Sequence, residues 1–458
     1  MKVNSQVFRA YDIRGIVNEE LSDELVKKLG KAIGTLLRRN NSDALNVCRD
    51  GRLSSPHISE LFTEGVLSTG CNVYNLDLGP TPLLYFSTFK TSIRNGVMIT
   101  GSHNPKNYNG FKIVVNQKPL SGESITEIKN LIENEDFICG EGKEQKTPLL
   151  ENYQTEIKSK INLKRTLKIV LDCGNGAGGL VAPKLFKDLG IELIELYGEV
   201  DGNFPNHHPD PSNPENLKDL IVKVRENKAH LGIALDGDAD RLGVVDNKGN
   251  IIFPDQYMSL IADQILKNNS GRKIVFDVKC SSRLKESISK SKGVPIMTRT
   301  GHSFIKEEIL KQNAILGGEM SGHIFFNDDW YGFDDGIYSA LRLIEIIAQS
   351  EDSSAEMFSK FPQLFTTPEI NLHTTDERKF EIIKKLKKEF EFNDYEKVLI
   401  DGIRIENDES WGLARASNTS PSLVFRFEGE SKEALKKIIA VFQKALFTID
   451  DKLEIKLN

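Results

Sequence analysis

Residues 168–179 read KIVLDCGNGAGG, and residues 231–241 read LGIALDGDADR. Between them lie a helical stretch, the apolar run IELIELYG at 191–198 and a second helical stretch. The order is therefore strand, glycine-rich turn, helix, strand, helix, and a third strand ending in a loop of unusual composition. The same order occurs twice more. Upstream, a strand at 45–47 leads into RDGRLSSP, a helix follows near 58–68, a strand at 73–76, and a strand at 96–99 ends in TGSHNP. Downstream, KIVFDVKCSS at 273–282 leads through a helix and VPIMTRTGHS to AILGGEMSGH, ending at residue 323. Mostly apolar, non-alternating strands separated by helices imply parallel βαβ units covered on both faces. Reactive loops in such sheets lie at the carboxyl ends of strands. All three unusual loops follow a third strand, so equivalent positions in three α/β units can converge on one cleft. A hairpin-like segment follows each loop: NGFKIVVNQ, LGVVDNKGNII and HIFFNDDWYG.

At roughly 150 residues per domain, 458 residues correspond to about three domains. Hydrophobic residues make up 39% and charged residues 28%, which excludes collagenous and wholly disordered classes. Lys and Arg total 60 against 66 Asp and Glu, a net charge of −6. No global basic field attracts nucleic acid, so an anionic ligand must be caught locally. No apolar run approaches the roughly 18–20 residues that span a bilayer, and MKVNSQVFRAYDIRG lacks a signal-peptide core; no membrane partner and a cytoplasmic location are expected. Five cysteines without CxxC spacing are read as reduced thiols. Periodicity lapses around 138–150 and again near 350–368. Beyond lies a smaller unit with a basic helix over 380–390, strands near 398–405 and 423–427, a final helix over 434–447, and WGLARASNTSP as the segment between the strands.

In TGSHNP, Ser102 sits beside Thr100, His103 and Asn104, either as a nucleophile activated by a base or metal or as an ordinary turn residue. DGDADR offers Asp236, Asp238 and Asp240 at alternate positions. Three hard oxygen donors suit magnesium, and a solvated acidic turn is the alternative. An EF-hand is excluded because Arg241 stands at the sixth position and Asn247 at the twelfth. GEMSGH places Glu319, Ser321 and His323 on a glycine-flanked loop able to bond sugar hydroxyls or to form a polar turn. Arg299 and His302 in RTGHS, and Lys279, carry the same two readings. ARASNTSP supplies Arg415, Ser417, Asn418 and Thr419, a guanidinium fork and neutral donors suited to phosphate. Two motifs point elsewhere. Gly174, Gly176 and Gly179 have GxGxxG spacing, but nicotinamide chemistry leaves the three-carboxylate loop unexplained, so they are expected to serve a tight turn and close packing. Adjacent His207 and His208 in a proline-rich loop are expected to be structural or solvated.

Taken in order, FRAYDIRG, TGSHNP, DGDADR, GEMSGH and RASNTSP span residues 8–421 and resemble the α-D-phosphohexomutase superfamily, most closely its bacterial phosphomannomutase/phosphoglucomutase branch. The resemblance implies three similar α/β domains with mixed, mostly parallel sheets plus a smaller α+β, TATA-binding-protein-like C-terminal domain around a central cleft. The expected boundaries are 1–148 with the phosphoserine loop, 149–252 with the metal, 253–365 with the sugar-binding loop and 366–458 with the phosphate-binding loop. It implies Ser102 as the phosphoryl carrier, and Mg²⁺ held by Asp236, Asp238, Asp240 and an oxygen on Ser102. Glu319, Ser321 and His323 would meet sugar hydroxyls, and Arg415, Ser417, Asn418 and Thr419 the non-reacting phosphate. Tyr11, Arg14, His103, Lys112, Arg241, Lys279 and His302 would line the cleft, with acid/base work assigned to Lys112, His103, Arg14 and His302. A phosphoserine carries a charge of about −1.5 to −2, so three adjacent carboxylates would repel it without a divalent cation.

The implied reaction interconverts hexose 1-phosphate and hexose 6-phosphate, of mannose and/or glucose, through a bound hexose 1,6-bisphosphate, with closure of the C-terminal unit retaining the intermediate. A phosphoglucosamine mutase is the alternative within the family, against which Met320 and Asn418 stand. A metal-dependent phosphatase is disfavoured by Asp240, where its motif has Thr or Val. A non-catalytic sugar-phosphate binder is disfavoured by intact groups in all four loops. The partner is a small phosphosugar; a monomer is expected, with a dimer as the alternative.

Overall fold

The computed structural model describes every residue except 1, 2, 5, 10, 11, 363, 418, 419, 457 and 458. Its strands form four sheets. In the first, the parallel strands Asn72–Leu78, Ala44–Arg49 and Gly96–Ile99 lie side by side, the short edge strand Glu144–Lys146 extends one end, and Tyr108–Val115 followed by Ile13–Ile16 adds antiparallel pairs at the other. The second runs Ile251–Ile252, Leu242–Asp246, Leu231–Leu235, Lys168–Asp172, Glu192–Leu196. Its last three strands are parallel and its first two antiparallel. The third repeats the plan with Val294–Thr298, Lys273–Asp277, Leu316–Gly318 and antiparallel Ile324–Phe326. Three mixed, mostly parallel sheets thus recur, and the hairpin after each loop is the antiparallel partner of the strand before it.

The fourth sheet is antiparallel, with Ser410–Ala416 at its centre between Ile403–Glu406 and Ser422–Gly429. Most of the stretch read from sequence as an intervening segment is therefore a strand whose residues are all buried. Its Gly, Ser and Arg content hides the pattern. Gly412 is small because a Cβ there would stand 2.6 Å from the Phe442 ring, and Trp411 covers the Arg404 guanidinium at 3.9 Å. The basic helix begins earlier than expected and spans Asp376–Glu389.

One continuous apolar core runs through the first three units. The Phe86 ring of helix Thr81–Lys90 meets Tyr153 of helix Leu150–Lys160 edge-on at 5.4 Å, and Trp330 stacks on Tyr338 at 4.4 Å. The C-terminal sheet and its helices have a core of their own. They dock on the third unit through a small Val278, Trp411 and Leu413 contact and through polar bonds: Arg404 Nη1 donates to the carbonyls of Val278 and Cys280 at 2.7 and 2.8 Å, and Ser281 Oγ to Glu428 at 2.7 Å. The first three units thus share one apolar core, and the fourth is joined to it by a small apolar contact and buried polar bonds.

Candidate active site

The strand Gly96–Ile99 ends in a loop that places Ser102 in the left-handed region at φ +47°, buried at 2% exposure. The Ser102 amide donates to Thr100 Oγ1 at 2.8 Å; its hydroxyl donates to Asp236 Oδ2 at 3.0 Å and lies 3.1 Å from His103 Nδ1. The first unit's loop is thereby hydrogen-bonded to the second unit's. Gly237 makes this approach possible, because a Cβ there would stand 2.5 Å from the Ser102 carbonyl oxygen.

Asp236, Asp238 and Asp240 are fully buried, and one ligand oxygen from each falls within a 4.8 Å cluster. Asp236 Oδ1 accepts from the Asp240 and Arg241 amides at 3.0 and 3.1 Å. Thr81 Oγ1 donates to Asp238 at 2.6 Å. Lys112 Nζ bridges Asp238, at 2.7 Å, and Asp240. Asp238 Oδ1 and Asp240 Oδ1 are buried without a hydrogen-bond partner among the described residues. Uncompensated buried carboxylate oxygens are costly. Two orphaned oxygens in an all-carboxylate set therefore fit a divalent cation, and the triad can hold one. Burial and the neighbouring Asp238 and Asp240 push Asp236 well above the usual carboxylate range. Against the opposing effect of burial, Lys112 holds Asp238 far below it. Lys112 in turn is raised by Asp238 and Asp240, again against burial.

On the third unit, Glu319 accepts from the Gly301 amide at 2.6 Å and from Ser321 Oγ at 2.8 Å. His323 receives the Arg241 Nε–H at 3.0 Å on Nε2, which places its proton on Nδ1, 3.1 Å from Asp334. Asp334 also takes Lys306 at 2.7 Å and lies 3.6 Å from His302. Burial, followed by the Arg241 and Arg14 charges, holds His103 well below the usual imidazole range, so it is neutral at physiological pH. Arg14 is fixed by Asp12 at 2.6 Å and by Asn104. From the fourth unit, Glu369 reaches Lys279 at 3.2 Å. Arg415 donates its Nε–H to Asp401 at 2.9 Å, while its buried Nη2 has no hydrogen-bond partner among the described residues. Asp401 also accepts from the Thr300 amide at 3.1 Å, joining the third and fourth units.

These loops surround one cleft of about 620 Å³. Of the residues singled out in the sequence, Arg14, Ser102, His103, Lys112, Arg241, Lys279, His302, Glu319, Ser321, His323, Arg415 and Ser417 all line it. Asp236, Asp238 and Asp240 do not: they are fully buried, and the Ser102 hydroxyl bonds Asp236. Tyr11, Asn418 and Thr419 lie outside the described residues.

The four domains of one family match in order: phosphoglucomutase/phosphomannomutase alpha/beta/alpha domains I, II and III at residues 5–138, 150–249 and 253–365, and the C-terminal domain at 369–445. A phosphomannomutase/phosphoglucomutase of Pseudomonas syringae pv. tomato is 48% identical over 98% of this chain and 97% of its own. The chain belongs to the phosphoglucomutase/phosphomannomutase family. A phosphoglucomutase of Neisseria gonorrhoeae is 43% identical over 95% of both chains. The crystal structure of a phosphoglucomutase/phosphomannomutase family protein from Burkholderia thailandensis superposes with a TM-score of 0.95 at 41% identity, covering 99% of this chain and 100% of that one. The protein is thus an enzyme of the phosphotransferase mutase class.

Within this family frame the two distracting motifs have structural explanations. Gly174 turns at φ +53°, and a Cβ on Gly176 would lie 2.7 Å from the Gly237 carbonyl, whose oxygen accepts from the Ala177 amide at 2.9 Å. The glycine-rich turn therefore buttresses the acidic loop. His207 bonds Asp172 at 3.0 Å and the His208 carbonyl at 2.9 Å, away from the triad. Sequence reasoning missed Asp334, Thr81, Glu369 and Asp401, whose roles depend on contacts between distant segments. For Asp334 a local signal existed: the paired acids in GFDDG follow directly on the hairpin that continues from GEMSGH. No helix among the described residues is long and apolar enough to cross a membrane.

Proposed function

We propose that the enzyme interconverts hexose 1-phosphate and hexose 6-phosphate, with mannose and glucose as the sugars, through a phosphoserine at Ser102 and a bound hexose 1,6-bisphosphate. The carrying observation is the bond from the Ser102 hydroxyl to Asp236, which joins a cleft-lining nucleophile to a buried triad with orphaned oxygens. The proposed divisions are 1–148 for the phosphoserine, 149–252 for the metal, 253–365 for the sugar and 366–458 for the distal phosphate. Asp236, Asp238 and Asp240, with an oxygen on Ser102, would hold Mg²⁺. When bound, that ion supplies charge neutralisation beside the phosphoryl group and polarises it.

In the forward half, the P–O bond to Ser102 breaks as the free sugar hydroxyl forms its own bond to phosphorus, and the hydroxyl proton passes to a neighbouring base. Of the acid/base group His103, Lys112, Arg14 and His302, the neutral imidazoles His103 and His302 can accept that proton, and the Lys112 ammonium and Arg14 guanidinium supply positive charge and donors. Glu319 and Ser321, with His323, offer acceptor and donor edges to sugar hydroxyls, which tolerates either end of the sugar facing Ser102. Arg415, Ser417, Asn418, Thr419 and Lys279 grip the distal phosphate; the Nη2 of Arg415, buried without a hydrogen-bond partner among the described residues, supports this role. Tyr11 and Arg241 complete the lining. After the bisphosphate reverses its orientation, Ser102 regains a phosphoryl group from the other end. We further propose a cytoplasmic monomer.

Phosphorus NMR on glucose 1-phosphate and mannose 1-phosphate, with Mg²⁺ and catalytic hexose 1,6-bisphosphate, tests the reading. The expected products are the 6-phosphates. Inorganic phosphate would indicate a phosphatase, and unchanged substrate a binding protein.

A further inference from the structure

The loop that carries Ser102 is held from beneath by a residue outside the cleft lining. Arg52, in the turn after strand Ala44–Arg49, is 1% exposed. Its Nε donates to Asp50 at 3.2 Å, Nη1 to the carbonyls of Pro105 and Tyr108 at 2.6 and 3.0 Å, and Nη2 to those of Ser102 and Asn104 at 2.7 and 2.6 Å. A guanidinium has five N–H donors in a rigid fork, and all five are used. Asp50 takes the loop's donors in the complementary sense, accepting from Thr100 Oγ1 at 2.9 Å and the Gly101 amide at 3.1 Å. Between them the two residues satisfy the loop's polar groups on both sides of Ser102.

Space around the fork is closed. A Cβ on Gly101 would stand 2.4 Å from the guanidinium carbon, one on Gly202 would stand 2.8 Å from the Arg52 Cα, and the Phe204 ring lies 5.3 Å from the guanidinium. The second unit therefore packs on the same residue. The same guanidinium thus ties together carbonyls at Ser102, Asn104, Pro105 and Tyr108, beginning at the residue whose hydroxyl meets Asp236. A neutral side chain in place of Arg52 would leave the buried Ser102 carbonyl unsatisfied and release the three part-buried ones.

We infer that Arg52 is a positioning residue for the phosphoryl-carrying serine: by saturating four carbonyls of residues 102–108, it fixes the left-handed Ser102 backbone and aims its hydroxyl. This rests on the reading of Ser102 as the nucleophile. Lysine cannot reproduce the fork, since its three donors radiate from one nitrogen. A displacement of about 1 Å at a reacting atom costs on the order of 100-fold in rate.

The test uses Arg52→Lys and Gly101→Ala in the full-length enzyme, the second pushing the guanidinium aside without deleting it. Thermal unfolding, steady-state kinetics, and intact-mass measurement of phosphoryl transfer from hexose 1,6-bisphosphate to the protein are compared. Both variants are expected to fold, to keep KM within about threefold, and to lose about 100-fold in kcat and in the rate of protein phosphorylation. Phosphorylation within threefold of the parent in a folded variant, a loss expressed wholly in KM, or failure of both variants to fold would each overturn the inference. Ser102→Ala is run alongside. Phosphoryl incorporation persisting there removes the nucleophile reading and this one with it, whereas a silent Ser102→Ala beside an unaffected Arg52→Lys removes only this one.

Discussion

The two walls of the cleft are built on different principles. On the near wall, Ser102, Asp236, Asp238 and Lys112 are at most 5% exposed and bonded to one another across the first two units. Those units belong to the body packed with the third, and the contacts are held in place before any ligand arrives. On the far wall, Lys279 is held by Glu369 across the junction of the third and fourth units, and Arg415 by Asp401 within the fourth. Asp401 reaches the third through the Thr300 amide, and the two units' cores are separate. Under the proposed function, the difference assigns chemistry to preorganised groups and recognition to ion pairs that a phosphate can exchange into. Substitutions on the near wall should change kcat, and those on the far wall KM.

The strongest attempt to break that contrast is Ser102→Ala. Isomerisation, followed by the appearance of 6-phosphate, is expected to fall by about 10⁴-fold or more. Calorimetry should still detect substrate binding, because the far wall is intact. A variant that turns over at near-normal rate would remove Ser102 from the mechanism and the chemical role from the near wall.

Lys112→Met comes next. Breaking a buried ion pair by removing one partner costs about 3–5 kcal/mol, and here two carboxylates lose their ammonium. The metal-free enzyme should melt several degrees lower, and added Mg²⁺ should raise its Tm by more than it raises the parent's, since no ammonium need be displaced. Thermal scans in EDTA and in Mg²⁺ measure both. Equal Mg²⁺ shifts in parent and variant would show that Lys112 and the cation do not share the site.

Arg415→Ala acts on the other wall. A hydrogen bond to a charged group contributes about 1.5–3 kcal/mol, or roughly 10- to 150-fold in affinity. KM for hexose 1-phosphate should rise by that factor while the rate of Ser102 phosphorylation at saturation changes far less. A fall confined to kcat would erase the distinction between the walls.

The contrast also explains what was legible in the sequence. TGSHNP, DGDADR and GEMSGH each concentrate polar groups in a few consecutive residues at a strand end, so residue type and spacing marked Ser102, Asp236, Asp238, Asp240 and Glu319 as candidates, with ordinary turns as the alternative until the motifs are read together as a family resemblance. The repeated strand order exposed three sheets for the same reason. Arg52, Glu369 and Asp401 act through distant partners, and nothing in their immediate neighbours distinguishes them from surface charge; Asp334 alone among the missed acids carried a local sign, the paired acids of GFDDG. Strand Ser410–Ala416 was obscured by its own composition: Gly412 and Arg415 read as loop, although one is small for the Phe442 ring and the other is anchored on Asp401.

The finest discrimination is offered by Glu369. Its carboxylate lines the cleft, and the Lys279 ammonium holds its pKa below the usual glutamate range, so it is ionised through neutral pH. An arriving phosphate dianion must take Lys279 from it and meets its negative charge while doing so. Glu369→Gln removes that competitor without shortening the side chain. A partly exposed ion pair of this kind contributes up to about 1 kcal/mol, so KM should fall about two- to fivefold, more at low ionic strength than at high, with kcat unchanged. If KM rises instead, Glu369 orders Lys279 for the ligand rather than competing with it, and the far wall would then be preorganised like the near one.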